Sequence, residues 1–148
     1  MKLLALLTLS RLSHAACSQA PKNAYKITAT DTLSLDANFK LVMNALIEMG
    51  YEVANTEREF GLITTGTKQI PKMGGVYYLS IVAKDKKVLI TGQLRMNGGI
   101  AVGGIITTDD FSPIYNGGLK GSGLRRSFEE MEKVARSISP SITYDIKP

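Results

Sequence analysis

Apolar residues return at helical spacing between Ser34 and Gly50. Leu35, Phe39, Val42 and Leu46 form one stripe that Met43, Ile47 and Met49 widen, while Asp36, Asn38, Lys40, Asn44 and Glu48 lie elsewhere. Ser34 is suited to cap the N-terminus, Asp36 favours the positive end of the helix dipole, and Gly50 supplies a left-handed residue at the stop. A lone amphipathic helix is marginal in water, so its stripe needs a sheet to cover it. Before it, Tyr25, Ile27 and Ala29 alternate with Lys26, Thr28 and Thr30, the period of a half-buried strand.

After Gly50 the period changes to two. Tyr51 and Val53 predict a second strand, the polar interval Asn55 to Phe60 with Gly61 a turn, and Leu62 to Gln69 a third strand. Beyond the loop Pro71 to Gly75, Tyr77, Leu79, Ile81 and Ala83 alternate up to a turn at Lys84 to Lys87. Val88, Ile90, Gly92, Leu94 and Met96 then alternate back, which makes the clearest hairpin of the chain, with Thr91, Gln93 and Arg95 toward water. The glycine-rich stretch 97–123 reads as a flexible loop too long for an ordinary connection. Its Gly99 and Gly103 are spaced as GxxxG, and no phosphate-binding loop is spelled there. Leu124, Phe128, Met131, Ala135 and Ile138 predict a final helix over 123–138, and the capping-box spacing of Ser127 and Glu130 allows its regular part to start there. Ile142 and Tyr144 then form a short edge strand or a packed tail. The fold expected is α+β: one mainly antiparallel sheet of about five strands with two helices on one face, in the order β-α-β-β-β-β-α.

The first residues break this pattern. MKLLALLTLSRLSHAAC has a lysine, a short apolar run and then Ala15 and Ala16 before Cys17, the parts of an export signal over 1–16. The run is too short, and too interrupted by Arg11, for a span of about 20 apolar residues. Ala15-Ala16-Cys17 resembles the lipobox of bacterial lipoproteins, which implies diacylation of Cys17 and an anchor through its acyl chains. His14 stands where that family prefers leucine, and Arg11 is a second departure. The competing reading is cleavage after Ala15 or Ala16 and a soluble periplasmic product. Ser18 resembles the residue of lipoproteins sent to the outer membrane. Residues 17–23 would be a short tether, stiffened by Pro21, with a reach of about 20 Å, ahead of one domain over 24–148.

From Tyr25 to Ile138 the element order, together with ALIEMGYEV followed by GLITT, resembles the small α+β domains of bacterial envelope lipoproteins, including those of BamC. That resemblance implies an accessory role in an envelope assembly with a protein partner.

Composition narrows the chemistry. The chain has 148 residues, enough for one domain with a core. Its net charge of +5 includes Lys2 and Arg11 of the leader, which leaves 16 basic against 13 acidic residues and no run of like charge. Cys17 and His14 are single, so no disulfide is possible, and the chain beyond Cys17 lacks the usual general base and metal ligands. Asp109 with Asp110, and Glu57 with Glu59, read as turn and surface acids rather than catalytic pairs. Tyr77 and Tyr78 point to opposite sheet faces, so at most one can meet a ligand. The expectation is a non-enzymatic module without cofactor or metal, periplasm-facing on the outer membrane, with a protein partner and no nucleic acid. The alternative is a periplasmic protein holding a small amphipathic ligand between sheet and helices, near Met43, Met96 and Met131, whose other reading is ordinary core.

Overall fold

The computed structural model describes residues 19–97 and 110–147. The expectations placed on the leader, on Cys17, on Gly99 and Gly103 and on Asp109 lie outside these residues. In chain order the elements are β1 (Ala24–Thr30), α1 (Leu35–Glu48), β2 (Val53–Glu57), β3 (Leu62–Thr65), β4 (Lys68–Gln69), β5 (Val76–Lys84), β6 (Lys87–Arg95), β7 (Ser112–Pro113), α2 (Gly123–Ile138) and β8 (Ile142–Ile146). The strands form one antiparallel sheet in the order β2-β3-β5-β6-β1-β8, with β4 beside β5 and β7 beside β6.

The α+β class and the two helices are as the periodicity predicts; the sheet is larger, with 8 strands rather than about five. Three short strands, β4, β7 and β8, account for this, and β2 is longer than expected. Thr65 Oγ1 accepts the Leu79 N–H at 2.9 Å and Gly66 N–H turns to Glu52 O at 2.8 Å, so the predicted strand 62–69 breaks into β3 and β4. The polar residues Asn55, Thr56 and Glu57, expected in a turn, instead pair with Thr64, Ile63 and Leu62. They are polar because β2 is an exposed edge strand, and the turn shrinks to Arg58–Phe60 and Gly61. At the other edge β8 pairs along β1, from Ala24 opposite Ile146 to Ala29 opposite Ile142.

Both helices cover one face. Phe39, Val42 and Leu46 of α1 and Phe128, Met131 and Val134 of α2 are buried with Ile27, Leu79, Ile81 and Ile90 of the sheet. Each such side chain contributes about 1.5–3 kcal/mol when fully buried. Ser34 Oγ accepts the Ala37 N–H at the start of α1, and Gly50 has a φ of 71° just after it, as expected of cap and stop. Two positions of α1 depart from the expected stripe: Ile47 is 62% exposed, whereas Asn38 is fully buried. In α2 the N-cap is Ser122, whose Oγ accepts the Arg125 N–H at 3.3 Å, and Ser127 is buried within the helix.

The described part of 97–123 is not a free loop. Ile114 is fully buried, its N–H donates to Gly92 O at 2.9 Å, and Ser112 and Pro113 pair with Leu94 and Gln93. The physical reason is Gly92: a Cβ there would lie 2.7 Å from Ile114 Cδ1, so the missing side chain is the notch that Ile114 fills.

Candidate interaction surface

The face of the sheet away from the helices carries the alternate residues of each strand. On β5 and β6 these are Tyr78, Ser80, Val82, Leu89, Thr91, Gln93 and Arg95, all half-buried. Tyr77 and Tyr78 diverge as strand geometry requires: Tyr77 is fully buried in the core and Tyr78 lies on the open face. Phe111 returns over that face. Its ring meets Tyr78 edge-on, with centroids 5.1 Å apart at 67°, and the Arg95 guanidinium sits 5.0 Å from its centroid. Next to this stack an open groove of about 380 Å³ is lined by Ala54, Thr64, Thr65, Gly66, Thr67, Tyr78 and Phe111. It is mainly apolar with threonine hydroxyls on its walls, which suits a side chain or peptide segment more than a reacting substrate.

The space between sheet and helices is occupied by side chains. Met131 is buried there, and Met43 and Met96 pack against the same core. Within that core Tyr51 and Tyr77 share a hydrogen bond of 2.9 Å between their hydroxyls, and Lys68 lies over the Tyr51 ring at 4.0 Å while donating to Met49 O at 2.8 Å. Burial pushes the Tyr51 hydroxyl up to about 12 and raises Tyr77 further above its ordinary value. These are hydroxyls that stay protonated, so they tie the end of α1 to β5 and offer no base. Lys26 is raised chiefly by its hydrogen bond to Asp145, which fastens β1 to β8 on the open face.

The acids singled out in the sequence do not converge. Glu57 ends β2, Glu59 lies in the Arg58–Phe60 turn, and Asp110 is exposed just before β7. Among the described residues no group of three or more His, Cys, Asp or Glu side chains could hold a metal ion, and no helix is long and apolar enough to cross a membrane.

One arrangement escaped the sequence reading altogether. Asn116 is 2% exposed and gathers the start of the chain: its Nδ2 donates to Ala20 O at 2.7 Å and Pro21 O at 2.8 Å. Its backbone accepts from Asn23 N–H and donates to Ala24 O, while Arg125 Nη1 donates to its Oδ1. The only local signal was Gly92, since a glycine inside a strong strand marks a close approach of other chain. No protein-family model matches the chain, and no curated protein matches it in sequence.

Proposed function

We propose that the chain is an exported, non-enzymatic module of the bacterial envelope, anchored through acyl chains on Cys17 and engaging a protein partner across the open sheet face. The observation that carries the partner reading is the Tyr78–Phe111–Arg95 stack beside an apolar groove, with aromatic and guanidinium groups on the sheet face opposite α1 and α2. The anchor reading is supported by the lipobox-like Ala15-Ala16-Cys17. Because Ala20 and Pro21 are bound by Asn116, only the few residues after Cys17 would remain as tether, a reach of about 10 Å rather than 20 Å. The likeness to BamC-type lipoprotein domains adds the expectation of an accessory place in an outer-membrane assembly, facing the periplasm.

The test has two parts. Intact mass and membrane partitioning of the full-length chain and of Cys17→Ala, expressed in a bacterium, are expected to show an acyl mass lost in the variant. A photo-crosslinking residue at Tyr78 is expected to capture an envelope protein, and one at Ile47 on the helical side to capture none. An unmodified soluble product sinks the anchor, and equal capture at both positions sinks the partner face.

A further inference from the structure

The two ends of the sheet differ in charge. At the end where β1 finishes, Asp31, Asp36, Glu59 and Asp85 are mixed with Arg58, Lys84, Lys86 and Lys87. At the end where β1 begins, cations gather, and among the described acids there Asp145 is taken by Lys26 and Glu129 by Arg125. Lys147 N–H donates to Asn23 O at 2.9 Å and its Nζ lies 5.8 Å from the Tyr115 ring, which sets Lys147 beside the chain entry. Lys22 lines a cleft there together with Gly117, Gly118 and Arg125, and Arg126 folds back to Gly121 O at 2.8 Å. Arg125 is ion-paired with Glu129, but among the described residues Lys22, Lys120, Arg126 and Lys147 have no ion pair. Two aliphatic side chains stand out of the same end, Leu119 at 85% and Ile146 at 56% exposure.

We infer that this end is a docking surface for an anionic lipid bilayer, with Leu119 and Ile146 entering the headgroup region and Lys22, Lys120, Arg126 and Lys147 facing lipid phosphates. Exposed aliphatics ringed by unpaired cations are what an anionic interface attracts, at about 1 kcal/mol or roughly fivefold in partitioning for each cation near the surface. Charge complementarity favours lipid over an acidic protein because the aliphatic tips are single and protruding, and the cleft beside them is lined by Lys22, Arg125 and backbone glycines rather than by apolar side chains that would hold a partner's. The Asn116 clamp brings the chain into the domain at this same end, so an anchor on Cys17 and the docking surface would act together. The inference rests on the membrane reading above, and the test separates the two.

In the Cys17→Ala chain a single thiol is introduced by Leu119→Cys or, at the opposite end, by Lys87→Cys, and labelled with an environment-sensitive apolar fluorophore. Vesicles of phosphatidylcholine mixed with phosphatidylglycerol are expected to brighten and blue-shift the label at 119 and to leave that at 87 unchanged. Vesicles of phosphatidylcholine alone, added salt, or the combined changes Lys22→Glu, Lys120→Glu and Lys147→Glu are expected to weaken the response by tenfold or more. The inference is overturned by equal responses at 119 and 87, by no response at 119, by indifference to the charge reversals, or by the same response to a single-stranded oligonucleotide. The acyl mass of the unaltered chain is read independently. A response at 119 without acylation would keep the docking surface and remove the anchor, and acylation without that response would do the reverse.

Discussion

Two asparagines are buried in this domain, and they are satisfied to different degrees. Asn38, in the first turn of α1, donates to Lys84 O at 2.9 Å and to Asp31 Oδ1 at 3.1 Å, but its own Oδ1 has no partner. Asn116 uses its amide completely: both bonds of Nδ2 go to the carbonyls of the entering chain, and Oδ1 receives a guanidinium. The first joins a helix to the turn it packs on. The second joins the beginning of the chain to the helix near its end, across 96 residues. The difference shows which contact holds the domain's ends together, because a fully used buried amide leaves several groups stranded when it is lost.

The strongest way to break the comparison is Asn116→Ala. It strands the carbonyls of Ala20 and Pro21 and the Arg125 guanidinium, and is expected to cost about 2–4 kcal/mol in urea unfolding with an unchanged slope. Trypsin cleavage after Lys22 should speed up in parallel, and a cost below about 1 kcal/mol would mean that the clamp is not a tie. Gly92→Ala attacks the same segment from the strand side by displacing Ile114, for about 1–3 kcal/mol by thermal unfolding. Asn38→Ala should cost about 1–2 kcal/mol, less than its counterpart, since it also removes an acceptor that was already without a partner. If Asn38→Ala proves the costlier change, the ranking of the two amides is reversed.

Tyr51 and Tyr77 extend the comparison to hydroxyls and to pH. A folded-state value of about 12 for Tyr51 lies above the ordinary 10.0, so the folded chain keeps a proton that the unfolded chain gives up. Stability is therefore full below pH 10 and falls as pH rises from 10 through 12. Tyr51→Phe is expected to cost about 1 kcal/mol at neutral pH and to remove the Tyr51 share of that alkaline decline, which urea unfolding at stepped pH would show. The smallest effects belong to the helix caps. Ser34→Ala and Ser122→Ala should each cost about 0.5–1 kcal/mol in a thermal melt, about equally, because their cap bonds of 3.4 and 3.3 Å are alike.

What could be read beforehand was local. The α1 cap at Ser34, the stop at Gly50, the β5–β6 hairpin and the stripe of α2 all follow from residues within one or two turns of each other. Ile47 and Asn38 exchanged places relative to the periodicity because Asn38 finds its partners at Lys84 and Asp31, and Ile47 lies on the side that neither the sheet nor α2 covers. Two of the extra strands were hidden because β4 and β7 have two residues each, too few to show a period, while β8 is the edge strand that Ile142 and Tyr144 left as one of two readings, settled by the edge that β1 offers. On the candidate surface, Tyr78 and the polar row of β6 were legible from alternation alone. Phe111 was not, because its place over Tyr78 and Arg95 depends on a long-range return of the chain.

The position of β1 also governs when folding can finish. It lies between β6 and β8, so the first strand among the described residues has one neighbour that follows it by about 60 residues and another that follows the second helix. Loop-closure entropy must be met before such distant pairings return any stability, which slows assembly. A nascent chain that ends before Ile142 lacks the edge that covers β1, and so the sheet stays unfinished while synthesis continues. A polypeptide built this way closes its sheet around β1 only after β8 has been made.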